Sequence, residues 1–207
     1  MTEGQDFDIT AEAVHGNLRR LRIVQEGDTL VIERERSFRL FGMGRRDRFK
    51  VTVTLPDLAN AHAASGSSMV IASAVHGDLT LKSSSGASLV IEGSIHGDLH
   101  ADASSGASLN ASGFAADALV VEASSGATLR LDGSCTTITP DASSGASLHA
   151  KDATCVKGDA TASGGASLNV YASDTLSAKG SGGATISVFG DPYVQSQASG
   201  GATVRVN

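Results

Sequence analysis

The sequence of 207 residues is poor in the aromatic residues from which many protein cores are built. It contains no tryptophan, two tyrosines and six phenylalanines, so aromatic residues make up only 4% of the chain. Aromatic side chains bury more surface than most others and often dominate core packing. A core in this protein must therefore be made mainly of small and aliphatic side chains.

Two further absences exclude classes of partner. No apolar run approaches the ~18 residues of a membrane-spanning helix, so a transmembrane protein is not expected. The formal net charge is −6 at pH 7, whereas nucleic-acid-binding proteins present a basic face, so no nucleic-acid partner is expected.

The first residues, MTEGQDFDIT, lack the basic and then apolar pattern of a signal peptide. They agree with either a cytoplasmic protein or an exported one whose signal was removed.

The chain is rich in one small-residue motif, SSGAS, and its variants. We call the third residue of each motif its marker glycine, and successive marker glycines lie 18 to 20 residues apart. A period this regular is typical of a repeat architecture. The marker glycines are Gly66, Gly86, Gly106, Gly126, Gly145, Gly165, Gly183 and Gly201.

Hydrophobicity alternates after each marker glycine. Residues three and five positions later are apolar, as at Leu129 and Leu131, whereas residues two and four positions later are mostly polar, as at Thr128 and Arg130. This period of two indicates a β-strand with one buried face. A second alternating stretch precedes each marker glycine, with no helix-length segment between. The pattern predicts an all-β solenoid whose coils stack as parallel strands about 4.8 Å apart.

We expect a single domain over residues 1–207 with about nine coils, irregular over 1–60 and regular over 61–207. GDTLVI at 27–32 repeats the coil spacing and predicts one degenerate coil, and FKVTVTLP at 49–56 predicts a strand. Between them, residues 33–50 have a net charge of +4. We expect a solvated basic protrusion there, with contact to an acidic partner or self-assembly as the alternative.

The small residues of the motif suit a tight corner of each coil. Glycine adopts positive φ, alanine fills a narrow interior, and serine hydroxyls bond to the backbone of the turn. The change from SSG to SGG at Gly164, Gly182 and Gly200 predicts a slightly tighter corner late in the chain. The alternative interpretation is a flat hydroxyl surface for a ligand. Its members would be the outward residues Ser68, Ser88, Ser108, Thr128, Ser147, Ser167, Thr185 and Thr203.

Two related segments, VHGDL and IHGDL, supply the candidate metal ligands. His76 and His96 are expected one coil apart, and so are Asp78 and Asp98. Zinc usually takes three or four ligands and calcium 6–8 oxygens, so these pairs fall short of either site. We favour a turn-forming His-Gly-Asp over a metal site, and we expect no cofactor.

The two cysteines, Cys135 and Cys155, follow their marker glycines by nine and ten residues. Val75 and Ile95 hold the corresponding place in earlier coils, so the cysteines are expected to be neighbours on adjacent coils. Stacked strands bring Cα atoms to about 4.8 Å, within the ~4.4–6.8 Å that a disulfide spans. We favour two buried thiols in an apolar stack, with a disulfide as the alternative.

Catalytic motifs do not occur. The sequence has no Gly-x-Ser-x-Gly elbow, no Gly-Lys-Ser/Thr phosphate loop and no His-Glu-x-x-His. The regularly spaced serines do not single out one activated nucleophile, which would need a positioned base. We therefore expect no catalytic residues and no enzymatic activity.

The segment FKVTVTLPDLANAHAASGSS, the serial Ser-Gly-Ala-Ser corners and the final SGGATVRV resemble a bacterial family. It is the putative auto-transporter adhesin, head GIN domain family (DUF2807), and the resemblance runs from about Phe7 to Asn207. It implies a right-handed parallel β-helix, similar in shape to pectin lyases but without a catalytic set. It also implies an adhesive role in the cell envelope or outside the cell.

Three functions follow from these observations. The first, which we favour, is a non-enzymatic envelope or surface protein that binds an unknown protein or glycan through a rigid face. The second is a self-associating scaffold, a homo-oligomer, because an open solenoid end without a polar cap invites strand addition. The third is a polysaccharide-acting enzyme of pectin-lyase-like shape.

Overall fold

The computed structural model describes residues 2–3, 7–15, 17–35 and 48–207. Backbone contacts group the chain into two compact units, Gly4–Leu55 on the one hand and Met1–Glu3 with Pro56–Asn207 on the other. The basic protrusion predicted at 33–50 lies largely outside the described residues. A single domain over 1–207 stays a prediction.

Strands in the first part of the chain pair antiparallel. Strand β2 pairs with β5, and β3 pairs with β4. The strand predicted at 49–56 is β5. A 3-10 helix at Leu18–Arg20 precedes β3. The strand bounds are β1 Thr2–Glu3, β2 Asp8–His15, β3 Leu21–Glu26, β4 Thr29–Arg34 and β5 Arg48–Leu55.

The degenerate coil predicted at 27–32 is wrong. These residues form the turn of the β3–β4 hairpin and most of its second strand. Gly27 has a φ of +62°, which suits the first central residue of a type II′ turn in a two-residue hairpin loop. A hairpin strand has the same alternation as a coil strand, and this explains the misleading match.

From Asn60 onwards the strands pair in parallel with the equivalent strands of the next coil, for example β13 with β14 and β14 with β15. They form a β-solenoid of about seven turns, which confirms the predicted fold class. The expected nine turns included the degenerate coil at 27–32, which belongs to the antiparallel segment before Pro56. The strands are β6 Asn60–Ala63, β7 Ser68–Ile71, β8 Val75–His76, β9 Leu79–Ser83, β10 Ser88–Ile91, β11 Ile95–His96, β12 Leu99–Ala103, β13 Ser108–Ala123, β14 Thr128–Ala142, β15 Ser147–Ala162, β16 Ser167–Tyr171, β17 Thr175–Gly180, β18 Thr185–Phe189, β19 Tyr193–Ala198 and β20 Thr203–Val206.

The core consists of aliphatic side chains stacked in register along the solenoid. Six consecutive register partners three residues after the marker glycines are 0% exposed: Leu89, Leu109, Leu129, Leu148, Leu168 and Ile186. Burying such a side chain contributes about 1.5–3 kcal/mol. The alanines of the motif, such as Ala127 and Ala146, are also buried, so the motif does fill the narrow corner interior.

Each corner is a type I′ turn. At the corner of Gly126, the N–H of Ala127 donates to the carbonyl of Ser124 over 3.1 Å. The two central residues, Ser125 and Gly126, have φ values of +52° and +71°. Positive φ at both central positions defines the type I′ turn. Positive φ was expected for the glycine but not for the serine before it.

Late corners are not tighter than early ones. The residue before the marker glycine has φ of +52° to +57° where it is serine and +58° to +59° at Gly164, Gly182 and Gly200. The hydrogen bond that closes the turn is also alike: Ala127 N–H donates to the carbonyl of Ser124 over 3.1 Å, and Ala166 N–H donates to that of Ser163 over 3.2 Å. The change to SGG therefore keeps the turn and removes a side chain from a left-handed position, where a Cβ is unfavourable.

Candidate functional site

The strand after each corner presents an outward column of hydroxyl side chains. All eight residues of the predicted surface are consecutive register partners, and we call them the hydroxyl column: Ser68, Ser88, Ser108, Thr128, Ser147, Ser167, Thr185 and Thr203. Each is exposed or half-buried. Adjacent members lie about 4.8 Å apart, the spacing of hydrogen-bonded strands. The alternating buried neighbours fix the direction in which these side chains point.

A second outward column lies two residues further along the same strands. Its members are also in register: Val70, Val90, Asn110, Arg130, His149, Asn169, Ser187 and Arg205. We call the two columns together the donor face, because its side chains after the first two coils carry hydroxyl, amide, guanidinium or imidazole groups. The sequence analysis did not identify this second column as part of a site.

Charge is distributed unevenly around the coils. Residues 51–207 contain thirteen carboxylates and six basic residues, yet none of the sixteen side chains of the donor face is a carboxylate. Both arginines of this region, Arg130 and Arg205, lie on the donor face. On the strand before the corner, three outward carboxylates are consecutive register partners, Asp102, Glu122 and Asp141, in a column that also holds Lys82 and Lys179. The donor face is therefore locally basic in an acidic solenoid.

The basic residues also differ in their partners. Nζ of Lys151 lies 2.8 Å from Asp152, that of Lys157 lies 3.8 Å from Asp174, and that of Lys179 lies 3.6 Å from Asp159. Within residues 51–207, Arg130, Arg205 and Lys82 form no ion pair with a carboxylate, and of these three the two arginines lie on the donor face. Their guanidinium groups are the basic groups on this surface best placed to pair with an anionic ligand.

His149 connects the polar side chains in the middle of the second column. Its Nδ1 lies 3.1 Å from the amide nitrogen of Asn169. Burial lowers the pKa of His149, and the positive charges of Arg130 and Lys151 lower it further. The imidazole is therefore neutral at pH 7, and its unprotonated Nδ1 accepts the amide hydrogen bond.

Two aromatic side chains border the donor face in the late coils. Tyr171 and Phe189 are register partners, two residues beyond Asn169 and Ser187, and both are half-buried. Gly190 allows the backbone after Phe189 to approach Tyr171 and Ala172 closely, since a Cβ there would lie 3.2 Å from Cε2 of Tyr171 and 2.2 Å from the carbonyl oxygen of Ala172. Rings thus lie directly beside hydrogen-bonding groups.

The candidate metal ligands lie close together, but the two aspartates are hydrogen-bonded to backbone N–H groups. The exposed rings of His76 and His96 stack at a centroid distance of 5.6 Å. Oδ1 of Asp78 accepts the N–H of Asp98 over 3.0 Å, and Oδ1 of Asp98 accepts the N–H of Ala118 over 2.8 Å. The aspartates thus bind the backbone of the following coil. Within residues 7–15, 17–35 and 48–207, no three His, Cys, Asp or Glu side chains are grouped to hold a metal ion.

The structure joins Cys135 and Cys155 in a disulfide, with Cα atoms 4.5 Å apart, where the sequence favoured two buried thiols. The two cysteines are register partners, but they do not continue the column of Val75 and Ile95. A register shift after Ser112 places Phe114 in that column instead. The ring of Phe114 occupies the space left by Gly133, where a Cβ would lie 2.7 Å from Cγ of Phe114.

One groove lies near the late corners, away from the donor face. It has a volume of about 230 Å³ and is lined by Thr161, residues 179–181 and residues 197–199. Its one charged group, Lys179, already lies 3.6 Å from Asp159. Its lining also contains no aromatic or large aliphatic side chain, and such side chains line most small-molecule sites.

Solved structures share the fold. A putative lipid binding protein from Parabacteroides distasonis matches with a TM-score of 0.90 at 16% identity, over 100% of this chain and 87% of that chain. A putative adhesin from the same species matches with a TM-score of 0.89 at 18% identity, with the same shares covered. A putative adhesin from Parabacteroides merdae matches with a TM-score of 0.81 at 14% identity, over 100% and 98%.

Comparison with curated proteins found no similar protein. In the described part of the chain, no helix has the length and apolar character needed to cross a bilayer. The model of one family matches residues 1–192. The chain therefore belongs to the family described as putative auto-transporter adhesin, head GIN domain (DUF2807).

Proposed function

We propose that this protein is a non-enzymatic protein of the cell envelope or cell exterior that binds its ligand through the donor face, as an adhesin does. The observation that carries the proposal is the composition of that face. Sixteen outward side chains stand in register, rich in hydrogen-bond donors and free of carboxylates. The family description and the neighbouring structures named as adhesins support the same class of function.

Rigidity makes such a face suitable for binding. In the middle coils each outward side chain stands between buried neighbours, such as Leu129 and Leu131 around Arg130, and parallel hydrogen bonds hold every coil to the next. A surface that is ordered before binding loses little conformational entropy when a ligand arrives. The repeated groups also allow several weak contacts to act together on a repetitive ligand.

The same face is poorly suited to catalysis. A nucleophilic serine or threonine needs a base within hydrogen-bond reach. The one imidazole of the face, on His149, accepts the amide hydrogen of Asn169 at Nδ1 and, within residues 48–207, forms no hydrogen bond with a hydroxyl of the column. The hydroxyls of the column have nearly equivalent surroundings, so no single one is activated. These features support binding over turnover.

An immobilised panel of glycans, extracellular-matrix proteins and lipids tests the proposal. The variant Ser147→Glu with Ser167→Glu places two negative charges in the hydroxyl column. We expect it to weaken binding to any ligand bound by the wild-type protein at least tenfold. The matched control, Thr139→Glu with Ser177→Glu, adds the same charges on the strand before the corner and leaves binding within twofold. Equal losses in both variants, or no wild-type binding to any member of the panel, would contradict the proposal.

The self-associating scaffold stays a prediction. Sedimentation velocity over a hundredfold range of protein concentration tests it directly. A monomer at every concentration would exclude the scaffold function. Growth into large species would support it, with a second copy of the chain as the partner.

A further inference from the structure

We propose that the ligand of the donor face is a linear acidic polysaccharide carrying carboxylate or sulfate groups. This inference rests on the function proposed above, because it names the ligand class of the same face. It depends on three features: the placement of the two arginines, the distance between them, and the aromatic rings beside the late coils.

Charge complementarity indicates that the ligand is negatively charged. Arg130 and Arg205 are the only arginines in residues 51–207, and both lie in a face that has no carboxylate. A guanidinium binds carboxylate or sulfate oxygens through paired N–H groups, with geometry that a lysine cannot reproduce. The protein as a whole has a net charge of −6. Binding of a polyanion must therefore depend on a local site, since the overall field repels it.

Distance between the arginines indicates an extended ligand. The chain of register partners runs from Arg130 through His149, Asn169 and Ser187 to Arg205, so the arginines are four coils apart. At about 4.8 Å per coil this separation is roughly 19 Å. The hydroxyls of Ser147, Ser167 and Thr185 lie alongside the intervening coils. A chain of several sugar residues can contact both cations and the hydroxyls between them, whereas one small anion cannot.

Aromatic rings favour a sugar over other anionic polymers. Tyr171 and Phe189 lie next to Asn169 and Ser187, between the coils of the two arginines. A pyranose ring has an apolar face and a rim of hydroxyls, and it matches an aromatic ring with hydrogen-bonding groups at its side. Three of the four aromatic residues in 56–207 are Tyr171, Phe189 and Tyr193, all in the late coils.

An anionic lipid surface is the weaker alternative. Each basic residue near an acidic membrane contributes about 1 kcal/mol, and the donor face holds only two arginines. The carboxylates on the preceding strands, such as Asp102, Glu122 and Asp141, would be repelled by the same surface. Two attractive charges are too few to hold an acidic protein on a membrane, whereas a polysaccharide adds hydrogen bonds and ring contacts along its length.

The experiment measures binding of the wild-type chain to polygalacturonate, dextran sulfate, neutral dextran and phosphatidylglycerol vesicles by biolayer interferometry at pH 7 and low ionic strength. The test variant is Arg130→Gln with Arg205→Gln. The control variant is Lys82→Gln with Lys179→Gln, which makes the same change of net charge on exposed residues of the strands before the corner. We expect binding to one or both acidic polymers, at least a tenfold larger Kd for the arginine variant, and a Kd within twofold of wild type for the lysine variant.

Every other result overturns the inference. Equal weakening in the two variants would show that binding depends only on the net charge of the protein. Unchanged binding in the arginine variant would show that the polymer binds at another site. Tighter binding to phosphatidylglycerol vesicles than to either acidic polymer would identify a lipid ligand instead. The wild-type protein could instead bind a neutral glycan or a protein and no acidic polymer, and lose that binding in the Ser147→Glu, Ser167→Glu variant. That result would leave the proposed function intact and remove only this ligand class. Circular dichroism melting curves confirm that each variant is folded.

Discussion

The strands after each corner and the strands before it pack the same kind of interior but present different exteriors. Inside, both contribute small or aliphatic side chains that are fully buried, for example Leu129 after a corner and Val121 before one. Outside, the donor face has no carboxylate, whereas the preceding strands present a mixed column in which Asp102, Glu122 and Asp141 stand in register with Lys82 and Lys179.

The difference shows which positions the fold constrains. Parallel ladders and buried stacks are the same on both sides of the corner, so folding requires only that outward residues tolerate a β-strand. The absence of carboxylates from one exterior is therefore not needed for the fold. The ligand proposed for the donor face accounts for it, and the following substitutions examine the two sides separately.

The largest effect is expected inside the strand after the corner. Leu129→Ala removes a fully buried side chain from the stack, and such changes cost about 2–5 kcal/mol because of lost burial and the remaining cavity. Arg130→Ala, the outward neighbour, should change the free energy of unfolding by less than about 0.5 kcal/mol. Urea denaturation of both variants measures the contrast. Similar losses would show that the outward column is part of the structural core.

The disulfide should have an effect of nearly the same size. Cys135 and Cys155 close a loop with a sequence separation of 20 residues, which corresponds to about 3 kcal/mol of stabilisation in the loop-entropy model. Denaturation with and without reductant, together with thiol titration, tests it. The Cys135→Ser, Cys155→Ser variant should behave as the reduced protein does. Two free thiols in the untreated protein would support the reduced pair instead.

A smaller effect is expected at the corners that separate the two strands. Gly164→Ser puts a Cβ at a left-handed position and 3.2 Å from the nitrogen of Ser144, and it should destabilise the protein by about 1–2 kcal/mol. Ser125→Gly does the reverse at an early corner. Relief of the left-handed strain exceeds the entropy that glycine loses, so a gain of about 0.5 kcal/mol is expected. Thermal melts of the two variants should shift in opposite directions, and a shift in the same direction would contradict the shared turn.

The smallest effect concerns the pH dependence of the donor face. Burial and the charges of Arg130 and Lys151 lower the pKa of His149 in the folded protein, so the unfolded chain binds a proton at higher pH than the folded one. The stability that this histidine contributes is complete above its unfolded pKa and is lost as the pH falls towards its folded pKa. His149→Gln should therefore flatten the decline of stability below pH 6.5.

A direct measurement of the same histidine separates burial from charge. Arg130→Gln removes one of the two positive neighbours and should raise the pKa of His149 in an NMR titration. An unchanged pKa in this variant would mean that Arg130 and His149 do not interact and that burial and Lys151 account for the lowered pKa.

Much of the solenoid was predictable because its signals are local and repeated. Spacing of the marker glycines predicted the coils, and alternation predicted the hydroxyl column with every member in place. The second column was missed because attention to the repeat emphasises what the coils share, whereas Arg130, His149 and Asn169 differ from coil to coil. Reading the residues four positions after each marker glycine as a column would have revealed the absence of carboxylates.

By itself, the sequence determined the period, the inward and outward positions and the small residues at the corners, because each depends on steric rules within a few residues. Only the tertiary structure decided that 27–32 form a hairpin, since alternation does not distinguish a parallel partner from an antiparallel one. It also decided that Phe114 enters the column of Ile95 while Cys135 pairs with Cys155. A one-residue register shift has no local signature, and its consequences depend on which neighbouring coil leaves room for the ring.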